Sequence, residues 1–225
     1  MLISRKRSNI STPPQIIILN GVILDRVQSY RYLGITLTTN LSWSSHISAC
    51  CNKTRKLIGL LYRRFYQHAS SPTLLRLYCC FIRPHLEYAS AVWNPNLKGE
   101  IDQLERVQKF ALRVCLKSWD TDYVHLLSIS NLPSLQKRRM LTSLCHLFKI
   151  SRGFTDFHDP PLQQHTHSYN TRSTCKQMFS LLKCRTNSYQ SSYFPNTIAN
   201  WNSLPSEVTK CASVQTFKKH VISFL

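Results

Sequence analysis

At 225 residues with 43% hydrophobic content, the chain is long enough for one or two domains with a buried core and too apolar for a disordered tail. Twenty-nine Lys and Arg against ten Asp and Glu give a formal charge of +19, a field that favours polyanions; nucleic acid leads, with a basic structural protein or an anionic membrane surface as the alternatives. No apolar run approaches the length of a bilayer span and "MLISRKRSNI" lacks the layout of a signal peptide, so an intracellular protein is expected, nuclear or cytoplasmic, not secreted and without a membrane partner.

The first structured stretch is "IIILNGVIL". Asn20-Gly21 accepts positive φ at both central positions of a type I′ turn, which predicts a β-hairpin. A two-stranded ribbon is marginal in water, so this one needs something to lean on. "YRYLGITL" is expected to continue as a further strand, with Gly34 allowing a bend or a close backbone approach.

After Asn40 the period changes. Ile47, Cys50, Thr54, Ile58, Leu61 and Phe65 recur at three- and four-residue steps, which predicts a helix of about six turns. Lys53, Lys56, Arg63 and Arg64 fall on its opposite face, with no acid between Trp43 and Phe65. Such a face is ordinarily only solvated, and a phosphate-facing stripe is the alternative that the missing acids favour.

"SSPTLLRLYCCFIRP" carries its own boundaries: Ser71 as N-cap, Pro72 at the first helical position and Pro84 as a break or kink. "EIDQLERVQKFALRVCLK" sets Ile101, Leu104, Gln108, Ala111 and Cys115 on one side, acids in its first turn and Arg113 and Lys117 in its last, as the helix dipole prefers. An apolar piece from Tyr123 to Ile129 leads to "NLPSLQKRRMLTSLCHLFKI". There Asn131 or Ser134 can cap, Leu135, Leu141, Leu144, Cys145 and Phe148 supply the buried side, and Lys137, Arg138 and Arg139 form a dense basic cluster. From Ser151 to Pro195 the chain turns polar and irregular, a loop-rich excursion or linker. Order resumes at "TIANWNSLP" and ends in a short helix capped by Ser213, with Val214, Phe217, Val221 and Leu225 as its apolar stripe.

The nine cysteines contain no C-x-x-C spacing and several sit among apolar residues, which favours reduced core thiols over a disulfide framework. His165, His167, Cys175 and Cys184 could gather a zinc ion, but their spacing matches no compact knuckle. The paired acids Asp120 with Asp122 and Asp156 with Asp159 lie before expected helices, where helix capping outweighs metal binding. Phosphate-binding glycine loops and the common hydrolase signatures are absent. Aromatics alternate with cations in "LLYRRFYQH", "YRYLG", "KSWDTDY" and "NSYQSSYF". That mixture suits single-strand grooves, although the core is the ordinary place for any one of these rings.

Five phrases in order, "YRYLGITLTTNLSWSSHI", "LYCCFIRPHLEYASAVWNP", "IDQLERVQKFALR", "LPSLQKRRMLTSLCHLFKI" and "FPNTIANWNSLPSEV", resemble the thumb-side, C-terminal part of reverse transcriptases of non-LTR retrotransposons of the jockey and CR1-like kind. The resemblance implies a mainly α fold. Residues 1–40 would be a last palm strand ending in "MLIS" and a primer-grip-like β ribbon, with Tyr32, Leu33 and Gly34 as its turn. Residues 41–150 would be a thumb-like helical array, 151–195 a linker and 196–225 a loosely attached helical segment. It also implies RNA, DNA or an RNA-DNA hybrid as partner, and a palm- and fingers-bearing chain or region for the ribbon to pack on. Lys53, Lys56, Arg63, Arg64, Lys137, Arg138 and Arg139 are then the expected phosphate contacts. The family's Tyr-x-Asp-Asp motif is not in this sequence, so no catalytic residue and no cofactor are expected here; magnesium would belong to the complete polymerase.

Overall fold

A computed structural model describes residues 17–155, 157–158, 160–163 and 179–224. Its order is two β-hairpins followed by a helical array, a mainly α fold. Strands β1 (Ile17–Leu19) and β2 (Val22–Leu24) pair antiparallel, Leu19 opposite Val22. Asn20 (φ 51°) and Gly21 (φ 80°) make the expected type I′ turn. Ile18 and Ile23 are 62% and 63% exposed, so the ribbon's aliphatic side chains meet water rather than a core.

"YRYLGITL" is not one strand but a second hairpin. β3 (Ser29–Tyr32) turns at Leu33 (φ 46°) and Gly34 (φ 84°) into β4 (Ile35–Thr38), with Tyr32 opposite Ile35. A leucine in the left-handed region costs about 1–2 kcal/mol. Its backbone is held there from outside, because the Tyr88 hydroxyl donates to the Leu33 carbonyl at 3.1 Å.

Helix α1 (Ser44–Phe65) buries Ile47, Cys51, Thr54, Ile58 and Leu61. The buried stripe therefore runs through Cys51 rather than Cys50, and Phe65 is exposed at the helix end. α2 (Ser71–Leu77) begins after Ser70, one residue earlier than Ser71 would allow as the cap, and passes into a π-helical turn, Tyr78–Ile82. There the Arg83 amide donates to the Tyr78 carbonyl at 2.8 Å. The widened turn precedes Pro84, which has no N–H and crowds the carbonyl four residues back. Two short helices follow, α3 (Pro84–Glu87) and α4 (Ser90–Trp93), then the long α5 (Lys98–Leu116). Gln108 belongs on the buried side of α5 because its amide is satisfied at both ends: the Tyr78 hydroxyl donates to it at 3.0 Å, and it donates to the Pro133 carbonyl at 3.0 Å. Burial pushes the Tyr78 phenol pKa up.

α6 (Tyr123–Ser130) is capped by Asp122, whose carboxylate accepts from the Val124 amide at 3.4 Å. α7 (Leu135–Ser151) is capped by Ser134, while Asn131 ends α6 in the left-handed conformation. Then come α8 (Asn187–Gln190), α9 (Tyr193–Asn202), α10 (Ser206–Thr209) and α11 (Val214–Phe224), the last capped by Ser213, which accepts from the Thr216 amide at 3.1 Å. One core gathers α1 to α6 around Ile47, Ile58, Leu86, Trp93, Leu104 and Leu112. A second joins the C-terminal half of α7 to α9 and α11. In it Phe148, Phe217 and Trp201 stack in series, at 4.6 Å and 5.4 Å between ring centroids. The C-terminal segment is thus seated on α7 by aromatic packing rather than loosely attached, and α8 and the buried Phe179 belong to the stretch expected as linker.

His46 couples the second hairpin to α1. The Thr36 amide donates to its Nδ1 at 3.3 Å, so the neutral ring carries its proton on Nε2, 3.5 Å from Cys50 Sγ. Burial first, and the Arg31 charge second, lower its pKa. Burial likewise lowers those of His85 and His146. A histidine whose folded pKa lies below its unfolded one stabilises fully above the unfolded value of about 6.5, and that stability is lost as the pH falls through the folded pKa. The denaturation midpoint is expected to drop as the pH falls below about 6.5. His46→Gln, which keeps an acceptor for Thr36, should flatten that drop; an unchanged slope in urea titrations would exclude His46 as a source.

Candidate nucleic-acid interface

Lys53, Lys56, Arg63 and Arg64 are all exposed. At 100° per residue they fall within about one third of the helix circumference, opposite the Ile47, Cys51, Thr54, Ile58 and Leu61 stripe. α1 has no acid to neutralise them. The helix therefore presents a positive face, spaced along an axis that rises about 1.5 Å per residue.

The upper part of this face opens into a groove of about 430 Å³ lined by Arg31, Leu33, Gly34, Lys53, His85 and Tyr88, among others. The structure thus brings Leu33 and Gly34 of the expected primer-grip-like turn beside Lys53, with Arg31 as a further cation that sequence reasoning did not single out. Tyr32, the turn's third residue, is exposed. At Gly34 an added Cβ would meet the Tyr88 ring at 3.5 Å, and its positive φ already disfavours any side chain.

Two of the three cations of the α7 cluster are engaged within the fold. Arg138 forms a two-pronged ion pair with Glu87, Nε on one carboxylate oxygen and Nη2 on the other at 2.9 Å. That hydrogen bond to Glu87 raises the Arg138 pKa. Arg139 is 2% exposed, its Nε donating to Asn94 Oδ1 at 3.2 Å. Both were expected to meet phosphate, and both instead serve the fold: with period alone, a cation turned to solvent cannot be told from one turned to a carboxylate. Lys137 is exposed. Nor can the α7 N-terminus receive an anion from outside, since Glu105 already fills it. Its carboxylate accepts from the Gln136 amide at 2.8 Å, the Leu135 amide at 3.3 Å and the Tyr123 hydroxyl. The sequence does carry one signal for the Glu87 pairing, because in so basic a chain it is the lone acid between Asp25 and Glu100.

The Asp122 carboxylate is engaged as a cap, as expected, and its backbone hydrogen bonds to Tyr123 and Val124 lower its pKa. Asp156, Asp159, His165, His167 and Cys175 lie outside the described residues. Among the described residues no three His, Cys, Asp or Glu side chains converge where a metal ion could sit, and the described cysteines are unpaired thiols. Burial pushes Cys51 up to about 11 and Cys115 up to about 12, which leaves both protonated and poorly nucleophilic. No described helix is long and apolar enough to cross a membrane.

Over 99 residues, 42% of this chain, the sequence is 29% identical to a probable RNA-directed DNA polymerase from transposon BS of Drosophila melanogaster, and the match spans 11% of that protein. It is also 29% identical over 154 residues, 65% of the chain and 70% of the relative, to an uncharacterized protein of Caenorhabditis elegans. The likeness suggests a reverse-transcriptase-related region that spans about a tenth of the length of the polymerase it matches. No protein-family model matches the chain, and no solved structure does.

Proposed function

We propose that this chain is a thumb-side region of a non-LTR retrotransposon reverse transcriptase that grips the phosphate backbone of RNA, DNA or an RNA-DNA hybrid without reading sequence, and that it performs no polymerisation by itself. The observation that carries the reading is the outer face of α1, where Lys53, Lys56, Arg63 and Arg64 stand exposed with no acid on their helix. Phosphate contacts of that kind position a protein on a strand or duplex and carry no base information. The Leu33-Gly34 turn, pinned by Tyr88 beside Lys53, would lie at the end of the same track as the primer grip. The aliphatic β1–β2 ribbon would pack on the palm sheet of the longer polymerase, which would also supply the carboxylates and magnesium.

The test is binding of a labelled RNA-DNA hybrid across a salt series. With the four α1 cations and Lys137 as contacts, log K against log salt is expected to fall with a slope of about −4.5. A slope near zero would remove the reading.

A further inference from the structure

The C-terminal end of α1, the outer side of α5 and the loop after it bring four aromatic side chains to one surface. Tyr62 and Tyr66 sit one turn apart on α1, 4.5 Å between ring centroids. Trp119 meets Tyr62 edge-on at 6.4 Å and 80°, and Phe110 at 6.3 Å. Its indole N–H donates to the Tyr66 hydroxyl at 3.4 Å. Rings so joined ordinarily belong to a core. Here Tyr62 and Trp119 are 43% exposed and Phe110 38%, so edges meet one another while surface stays open to solvent.

The loop that carries Trp119 is fixed at both ends. Lys117 ends α5 with φ 56° and the Ser118 amide donates to the Arg113 carbonyl at 3.1 Å. Ser118 and Thr121 hydroxyls hydrogen-bond, and Asp122 caps α6. The surface is therefore assembled before any ligand arrives. Its charge is positive: Lys117 Nζ lies 5.3 Å from the Tyr66 ring centroid, and Arg63 and Arg64 fall between the two tyrosines in sequence. Of the acids in this loop, Asp122 is engaged as a cap and Asp120 is exposed.

We propose that Tyr62, Tyr66, Phe110 and Trp119 form a stacking platform for unpaired nucleobases, reached by a single strand of RNA or DNA whose phosphates are drawn by Lys117 and the α1 stripe. The proposal rests on the nucleic-acid reading above and narrows it. Every base has a π-face, so open aromatic surface among cations binds single strands without sequence preference. A duplex, whose bases already stack on each other, gains little from these rings. An acidic protein partner is the competing occupant, and it would make the bases irrelevant.

The experiment uses the full chain at one fixed salt concentration and three probes: a short oligothymidine, the same strand with abasic sites in place of its bases, and a duplex of equal length. The oligothymidine is expected to bind roughly tenfold or more tightly than the abasic strand. Tyr62→Ala with Trp119→Ala should abolish that difference and leave duplex affinity unchanged, while Trp119→Phe should retain most of it. Equal binding of thymidine and abasic strands by the unmodified protein overturns the platform, and so does a double variant that weakens all three probes alike. If the unmodified protein binds duplex and abasic strand but ignores bases, the platform falls alone. If it binds none of the three, the nucleic-acid reading falls with it. The comparison of strands needs no variant, so a substitution that unfolds the chain does not spare the proposal.

Discussion

Replacing Lys53, Lys56, Arg63 and Arg64 together by glutamine is expected to weaken hybrid binding about a thousandfold at 0.1 M salt, with the loss vanishing as salt approaches about 1 M. The reasoning is counterion release: each phosphate neutralised contributes about 0.9 to the salt slope, so four lost contacts should reduce its magnitude by about 3.5. All four residues are exposed and none serves the core of α1, so the fold should survive, as a thermal melt can verify. Arg138→Gln is the control. Its guanidinium is spent on Glu87, so that variant should lose stability and keep its salt slope. The reverse pattern, with the α1 variant unaffected and the Arg138 variant binding weakly, would place the grip on α7.

Trp201→Ala should cost about 3–5 kcal/mol of unfolding free energy, the range for deleting a fully buried large aromatic. Trp201 is buried against Phe217 and near Phe179 and Phe148, and it unites α9 and α11 with α7. Its loss removes the centre of the second core. Since a domain's whole stability is about 5–15 kcal/mol, the C-terminal helices should melt well below the intact protein. Urea denaturation gives the number, and a cost under about 1 kcal/mol would mean that these helices are not seated as described. Trp119→Ala, at a half-open site, should cost far less. Position thus separates a tryptophan that holds the fold from one that faces outward, a distinction their shared side chain does not make.

The local elements follow from neighbours a few residues apart. Asn20-Gly21 determines a hairpin because only a few residue types accept two positive φ angles, and the α5 and α11 stripes follow from three- and four-residue steps. Asp122, Ser134 and Ser213 cap where an acceptor must meet an orphan amide. The Leu33-Gly34 turn was less legible, since the leucine's positive φ depends on Tyr88, 55 residues away.

What the amino-acid sequence by itself determined is a basic, mainly helical chain with its hairpin, its main helices and a cationic stripe on α1, because period and composition act over a turn or two. What only the tertiary structure decided is where each charge and ring is used. Arg138 finds Glu87 across 51 residues, Glu105 closes the start of α7 from another helix, and Trp119 meets Tyr62 on the surface. A cation or an aromatic ring has the same local pattern whether it faces water, a carboxylate or a neighbouring ring. Only the packing of distant helices, driven by burial of the two cores, selects among these.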